Sequence, residues 1–141
     1  LSKQFNIKNN NLLKSRLKDI IVENKKNVTK LEKLIHPKVR DKMKKFTNKN
    51  KNKKMLFYEI PLLVESKLMR FFNIIIFIKS RKKLRLKRFK INSDDKKLFN
   101  LLDSKQMNVR KKIKFCDYVV VNEKNLKILK KKLSTIIAKY E

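Results

Sequence analysis

The sequence contains no glycine and no tryptophan in 141 residues. A loop that cradles phosphates needs glycine, because consecutive backbone N–H groups must approach the phosphate oxygens with no side chain in the way, in the pattern Gly-x-x-x-x-Gly-Lys-Ser/Thr. These residues hold no such loop. Cysteine occurs once, as Cys116; a disulfide framework and a thiolate zinc site both need more, and the count fits a reducing compartment. Apolar runs are short. The longest, residues 71–78 interrupted by Asn73, falls far below the roughly 20 residues that span a bilayer, so no membrane partner is expected and the cytoplasm is the expected compartment. Acidic residues are scarce as well: 12 Asp and Glu face 41 Lys and Arg, a formal charge of +29.

That charge ordinarily points to a polyanion partner. The basic residues, however, divide into 34 Lys and only 7 Arg, whereas nucleic-acid readers favour Arg for its bidentate geometry or interleave aromatics with their basic residues. Lys, Asn and Ile in abundance, with Gly and Trp missing, is also the profile that strong A+T bias in coding DNA produces. Nucleic acid stays open as an alternative partner. In either case a positive surface steers anionic ligands from a distance, an effect that fades with salt. Hydrophobic residues make up 41% with nine Phe, enough for the modest core of one domain.

Strands and helices alternate along the chain with no internal repeat. Leu13, Leu17, Ile20 and Ile21 recur at helical spacing within Leu12 to Glu23. Thr29 can cap a second helix running to about Phe46, with Leu31, Leu34, Ile35, Val39 and Met43 as its stripe. The Lys-rich stretch Asn48 to Lys54 reads as a surface turn. Lys54 to Ile60 and Asn73 to Ile78 read as strands of the buried parallel type, the first stopped by Pro61, which offers no ladder donor. A short helix is expected around Ser66 to Phe71, a basic one over Ser80 to Phe89 and another over Asp94 to Gln106. A strand at Asp117 to Val121 and a closing helix over Glu123 to Tyr140 complete the pattern. The alternation predicts an α/β fold with a parallel sheet flanked by helices.

Two segments carry the most specific signal: Leu31-Glu32-Lys33-Leu34-Ile35-His36-Pro37-Lys38-Val39-Arg40 and Phe57-Tyr58-Glu59-Ile60-Pro61-Leu62-Leu63-Val64-Glu65. Together they resemble the dephospho-coenzyme A kinase family, in which an Ile-His-Pro-x-Val-Arg helix precedes a strand ending in Asp-Ile-Pro-Leu-Leu-Phe-Glu. Downstream, Lys105-Gln106, a basic stretch and Cys116-Asp117-Tyr118-Val119-Val120-Val121-Asn122 are similar to the family's Gln, basic run and Ala-Asp-Tyr-Val-Ile-Asp-Asn strand, without a gap from Gln106 to Asp117. Ser15-Arg16-Leu17 and Ile20-Ile21-Val22-Glu23-Asn24 resemble a weaker upstream stretch. Departures are Glu59 for the usual Asp, Val64 for Phe, Val121 for Asp, and Leu102 for an Arg often found four residues before the Gln.

The resemblance implies a P-loop kinase architecture of the nucleotide-kinase type, truncated at the N-terminus. Some 60 residues, two strand–helix units of about 30 each, are then expected ahead of this sequence, carrying the glycine loop and the carboxylate base. The domain layout it implies is a single partial kinase domain over residues 1–141. Residues 1–50 form its helical substrate side, 54–78 and 117–141 the core sheet and helices, and 79–106 a basic lid.

Open α/β sheets bind ligands at the carboxyl ends of their strands, and Glu59 to Glu65 crosses such an end. Read from the residues alone, Pro61, Leu62 and Leu63 are equally a strand cap with two core leucines; the resemblance places them and Glu65 beside dephospho-CoA. His36, alone on an apolar helix, reads as a packed residue as readily as a ligand. Arg40 shares its face at i+4, and guanidinium binds phosphate bidentately; the resemblance makes the pair substrate contacts. Arg81, Arg85 and Arg88 are candidates for a lid over the phosphates, although the family's Gln-x-x-Arg-x-x-x-Arg does not lay cleanly on them and a solvated Lys-rich face is the other reading. No catalytic or metal-ligating residue is assigned in this chain. The function implied is transfer of the γ-phosphoryl group of ATP, with Mg²⁺, to the 3′-hydroxyl of dephospho-CoA, these residues being inactive alone. A related nucleotide or nucleoside kinase and a basic nucleic-acid-binding module remain the alternatives.

Overall fold

The computed structural model describes residues 19–20 and 24–141, which divide after Phe57 into two compact units, the second being Tyr58–Glu141. The helix expected over Leu12 to Glu23 lies outside the described residues, apart from Asp19 and Ile20, which are helical.

The first unit is dominated by one 25-residue helix, α1 (Lys25–Lys49). Asn24 caps it, its side chain accepting from Lys26 N at 2.9 Å. Thr29, the expected cap, sits inside the first turns instead, because an Asn five residues earlier already satisfies an orphan N–H and is at least as good a cap. At the far end the helix overruns the expected Phe46 by one turn and stops at Asn50, whose backbone and side-chain N–H groups take the carbonyls of Phe46 and Thr47. Val28 is buried, Leu31, Leu34 and Met43 are half-buried, and Ile35 and Val39 are exposed. Pro37 stands in the middle of α1. It brings no N–H for the Lys33 carbonyl and crowds that carbonyl with its ring, at a cost of about 3 kcal/mol.

In the second unit, β1 (Ile76–Lys79) and β2 (Tyr118–Val121) pair in parallel with Ile76 opposite Tyr118 and Lys79 opposite Val121. Asp117 fixes the start of the pair: its Oδ2 accepts from Ile75 N at 2.7 Å, and its own N–H donates to Ile75 O. Asn122 N donating to Lys79 O closes the other end. Between the strands come α2 (Lys82–Lys90), α3 (Lys96–Ser104) and α4 (Val109–Ile113); α5 (Leu126–Ile137) follows β2. Asp95, Asn108 and Asn125 cap α3, α4 and α5 through their side chains. Basic residues fill the last turn of α2, where they face the helix dipole's negative end. The buried apolar residues are few: Val64, Leu68, Phe99, Leu101 and Val120, with Phe89 meeting Phe99 edge-on at 5.5 Å; Lys112 is buried with them.

Three further local expectations change. Residues 55–60 form no ladder among the described residues, since a strand exists only where a neighbour completes its backbone hydrogen bonds. The short helix expected around Ser66 to Phe71 is instead a closed turn over 61–67 followed by a 3₁₀ turn, Met69–Phe71. Finally, α4 forms within what reads in sequence as a plain basic stretch.

Replacing the proline tests the helix argument. Pro37→Ala should stabilise α1 by up to about 3 kcal/mol, seen as a higher urea midpoint and stronger far-ultraviolet helical signal; an unchanged midpoint would show that the helix has already relaxed around the proline.

Candidate functional site

Residues 61–67 form the best-defined candidate. Ser66 N donates to Leu62 O, Lys67 N to Val64 O and Leu68 N to Leu63 O, the paired bonds of a helix C-terminus closed by a left-handed residue. That residue is Lys67, at φ 56°. Glycine usually takes this place because a Cβ resists it; a chain without glycine must use another residue here. The turn leaves Pro61 exposed, Leu62 and Leu63 half-buried, and Val64 and Leu68 buried.

Glu65, on the same turn, points inward. Its Oε1 accepts from Lys112 Nζ and from Met107 N, both at 2.7 Å, with side-chain exposures of 14% for Glu65 and 6% for Lys112. Burial alone would raise the Glu65 carboxyl, but the hydrogen bonds from Lys112 and Met107 outweigh it and hold the group below its ordinary value. The Lys112 ammonium also lies 5.4 Å from the centre of the Phe77 ring. Cys116, bonded through Sγ to Lys112 O, has its thiol pushed up by burial and is a poor nucleophile.

All three lid candidates are engaged within the chain. Arg81 Nε pairs with Glu123 at 2.9 Å, and Arg85 Nη1 reaches Asp103 Oδ1 at 2.6 Å while Lys82 takes Oδ2 of the same carboxylate at 2.9 Å. Arg88 donates to the carbonyl and side-chain oxygens of Asn122, at 3.1 and 3.3 Å. Burial of Asp103 is overcome by hydrogen bonds from Lys82 and Arg85, which hold its carboxyl below the ordinary value. A groove of about 350 Å³ between α2 and α3 is lined by Arg85, Arg88, Phe89, Phe99, Leu102, Asp103 and Gln106. Ser80 and Asn122 stand at the carboxyl ends of the two strands, where ligands of such sheets bind; the Ser80 hydroxyl is buried and makes no hydrogen bond among the described residues.

In the first unit, His36 and Arg40 are both exposed one turn apart on α1. The two prolines of the chain, Pro37 and Pro61, fall in the same two segments as these residues and the turn. Among the described residues no three His, Cys, Asp or Glu side chains gather as a metal-ligand group, and no helix is long and apolar enough to cross a membrane.

Residues 3–127 match the family model described as dephospho-CoA kinase. The chain belongs to the dephospho-CoA kinase family. A dephospho-CoA kinase from Fusobacterium nucleatum is 35% identical over 130 residues, covering 89% of this chain and 65% of the relative. Similar proteins of that name come from Protochlamydia amoebophila, at 32% with 90% and 65% covered, and Rickettsia bellii, at 27% with 89% and 66% covered. The chain thus spans just under two thirds of the length of these dephospho-CoA kinases.

Sequence reasoning passed over Lys112, Asp103, Asn122 and Ser80. Nothing marks Lys112 among 34 lysines. Asp103 had a signal, as one of 12 acids lying close in sequence to a strongly basic helix.

Lys112→Met should cost about 3–5 kcal/mol, the usual penalty for stranding a buried charge. The pH dependence follows in sign: Glu65 and Asp103 are both held below their ordinary values of 4.5 and 3.8, so the unfolded state binds more protons in this range. The urea midpoint should therefore hold at neutral pH and fall as pH drops through and below those values, with a shallower fall in Asp103→Asn.

Proposed function

We propose that this chain serves the ATP-dependent phosphorylation of the ribose 3′-hydroxyl of dephospho-CoA, giving coenzyme A and ADP in the cytoplasm. The observation that carries the reading is the 61–67 turn: Pro61, Leu62 and Leu63 form an apolar ledge on a closed turn whose carboxylate, Glu65, is anchored inside. The family membership supports it.

In the transfer, the bond between the γ-phosphorus and the bridging oxygen to ADP breaks as the 3′-oxygen attacks in line, and the hydroxyl proton leaves to a base, a role to which none of the residues named here is assigned. His36 and Arg40 are assigned to the acceptor's phosphate or ribose oxygens, and Pro61 to Leu63 to its apolar parts. Arg81, Arg85 and Arg88 are assigned to the nucleotide phosphates, for which each guanidinium trades its present partner. Mg²⁺ accompanying ATP would neutralise phosphate charge, but the described residues offer it no ligand group, and no step is routed through it. On this reading residues 1–50 are the substrate side, 54–78 and 117–141 the core, and 79–106 the lid of one kinase domain.

The net charge of +29 favours collection of polyphosphate ligands. With no glycine in 141 residues, the chain should bind dephospho-CoA without releasing ADP from ATP, as a coupled ADP assay would show. Calorimetric titration with dephospho-CoA tests the acceptor assignment. Arg40→Ala should weaken binding by about tenfold to a hundredfold, corresponding to about 1.5–3 kcal/mol for a charged hydrogen bond, with a smaller loss for His36→Ala. Equal affinity for wild type and Arg40→Ala would remove Arg40 from the site, and tighter binding of an unrelated nucleoside would favour a different acceptor.

A further inference from the structure

The Glu65 carboxylate sits on the acceptor turn yet is spent entirely on the interior. Both of its donors, Lys112 Nζ and Met107 N, converge on Oε1 at 2.7 Å, while Oε2 is buried and makes no hydrogen bond among the described residues. Lys112 in turn stacks its ammonium over Phe77 of β1, and its carbonyl accepts from Cys116 Sγ. Met107 directly follows Gln106, which lines the groove holding Arg85 and Arg88. One carboxylate oxygen therefore ties the turn to the sheet through Lys112 and to the arginine groove through Met107.

We propose that Glu65 and Lys112 are positioning residues for acceptor binding, holding the Pro61–Leu63 turn in register with the Arg85–Arg88 groove. The role rests on the dephospho-CoA kinase reading above and adds to it a coupling between acceptor and donor sides. Neither residue touches the reacting atoms; both act through the turn. Charge-assisted hydrogen bonds fix direction as well as distance, and a displacement of about 1 Å at a reacting pair can cost about a hundredfold. Stability alone would not call for such a pair, since apolar replacement of a buried ion pair is often neutral or favourable. That difference separates the two roles experimentally.

Wild type, Lys112→Met, Glu65→Gln and the double variant are compared for thermal midpoint and for dephospho-CoA affinity by calorimetry. Lys112→Met alone strands a buried carboxylate and lowers the midpoint. In the double variant the uncompensated charge is gone and the amide oxygen can still accept from Met107 N, so the midpoint should return towards wild type while affinity, having lost a preorganised turn, stays about tenfold or more weaker. Affinity within about twofold of wild type at a restored midpoint overturns the positioning role and leaves the pair purely structural. Should the double variant stay unstable, Glu65→Gln decides, titrated well below its own thermal midpoint so that it is fully folded: weakened affinity supports the role and wild-type affinity overturns it. Wild-type protein that binds no dephospho-CoA overturns the reading of the site, and the positioning role with it.

Discussion

A single buried ion pair, Glu65 with Lys112, holds the second unit's most specific segment in place. The turn over 61–67 has no regular secondary structure on either side to brace it; residues 55–60 lack a ladder and residues 69–71 form only a 3₁₀ turn. Its internal bonds close it but do not orient it. The buried Val64 and Leu68 anchor it, and the carboxylate reaches across to α4 and to the backbone beside α3. The cost of burying the two charges is offset only because both donors meet one oxygen at close range.

The same economy runs through the unit. With 12 acids against 41 basic residues, anionic groups are the limiting partner, and they are found where elements join. Asp103 binds α2 to α3 through Arg85 and Lys82, Glu123 takes Arg81, Asp117 clamps the start of the strand pair, and Asp95 caps α3. Lysines are mostly left on the surface, where their mutual repulsion is screened by salt. The positive field this leaves is the kind that gathers polyphosphate ligands.

Absence of glycine shapes the backbone as well. Asn24, Asn108 and Asn125 start helices by side-chain capping, and Asn50 ends one by returning its side-chain amide to Phe46 O. At the one described non-glycine position with positive φ, Lys67 accepts a conformation its Cβ resists. Pro37 shows the opposite tension: a residue poorly suited to a helix interior is kept inside one, next to His36 and within a turn of Arg40.

By itself the sequence determined the long helix, the basic helix, α3 and the closing helix, two of the three expected strands, the ordered motifs and the lack of a glycine-built phosphate loop. Those features depend on local periodicity, capping and residue identity, which are read within a few positions. Only the tertiary structure decided that residues 55–60 stay without a ladder, that Glu65 turns inward to Met107 across 42 residues, and that Arg81, Arg85 and Arg88 are tied to Glu123, Asp103 and Asn122. The reason is that ladders and ion pairs are chosen by proximity in space. In a chain with 34 lysines, composition offers every acid many possible partners, and the fold alone brings one of them within 2.7 Å of Glu65.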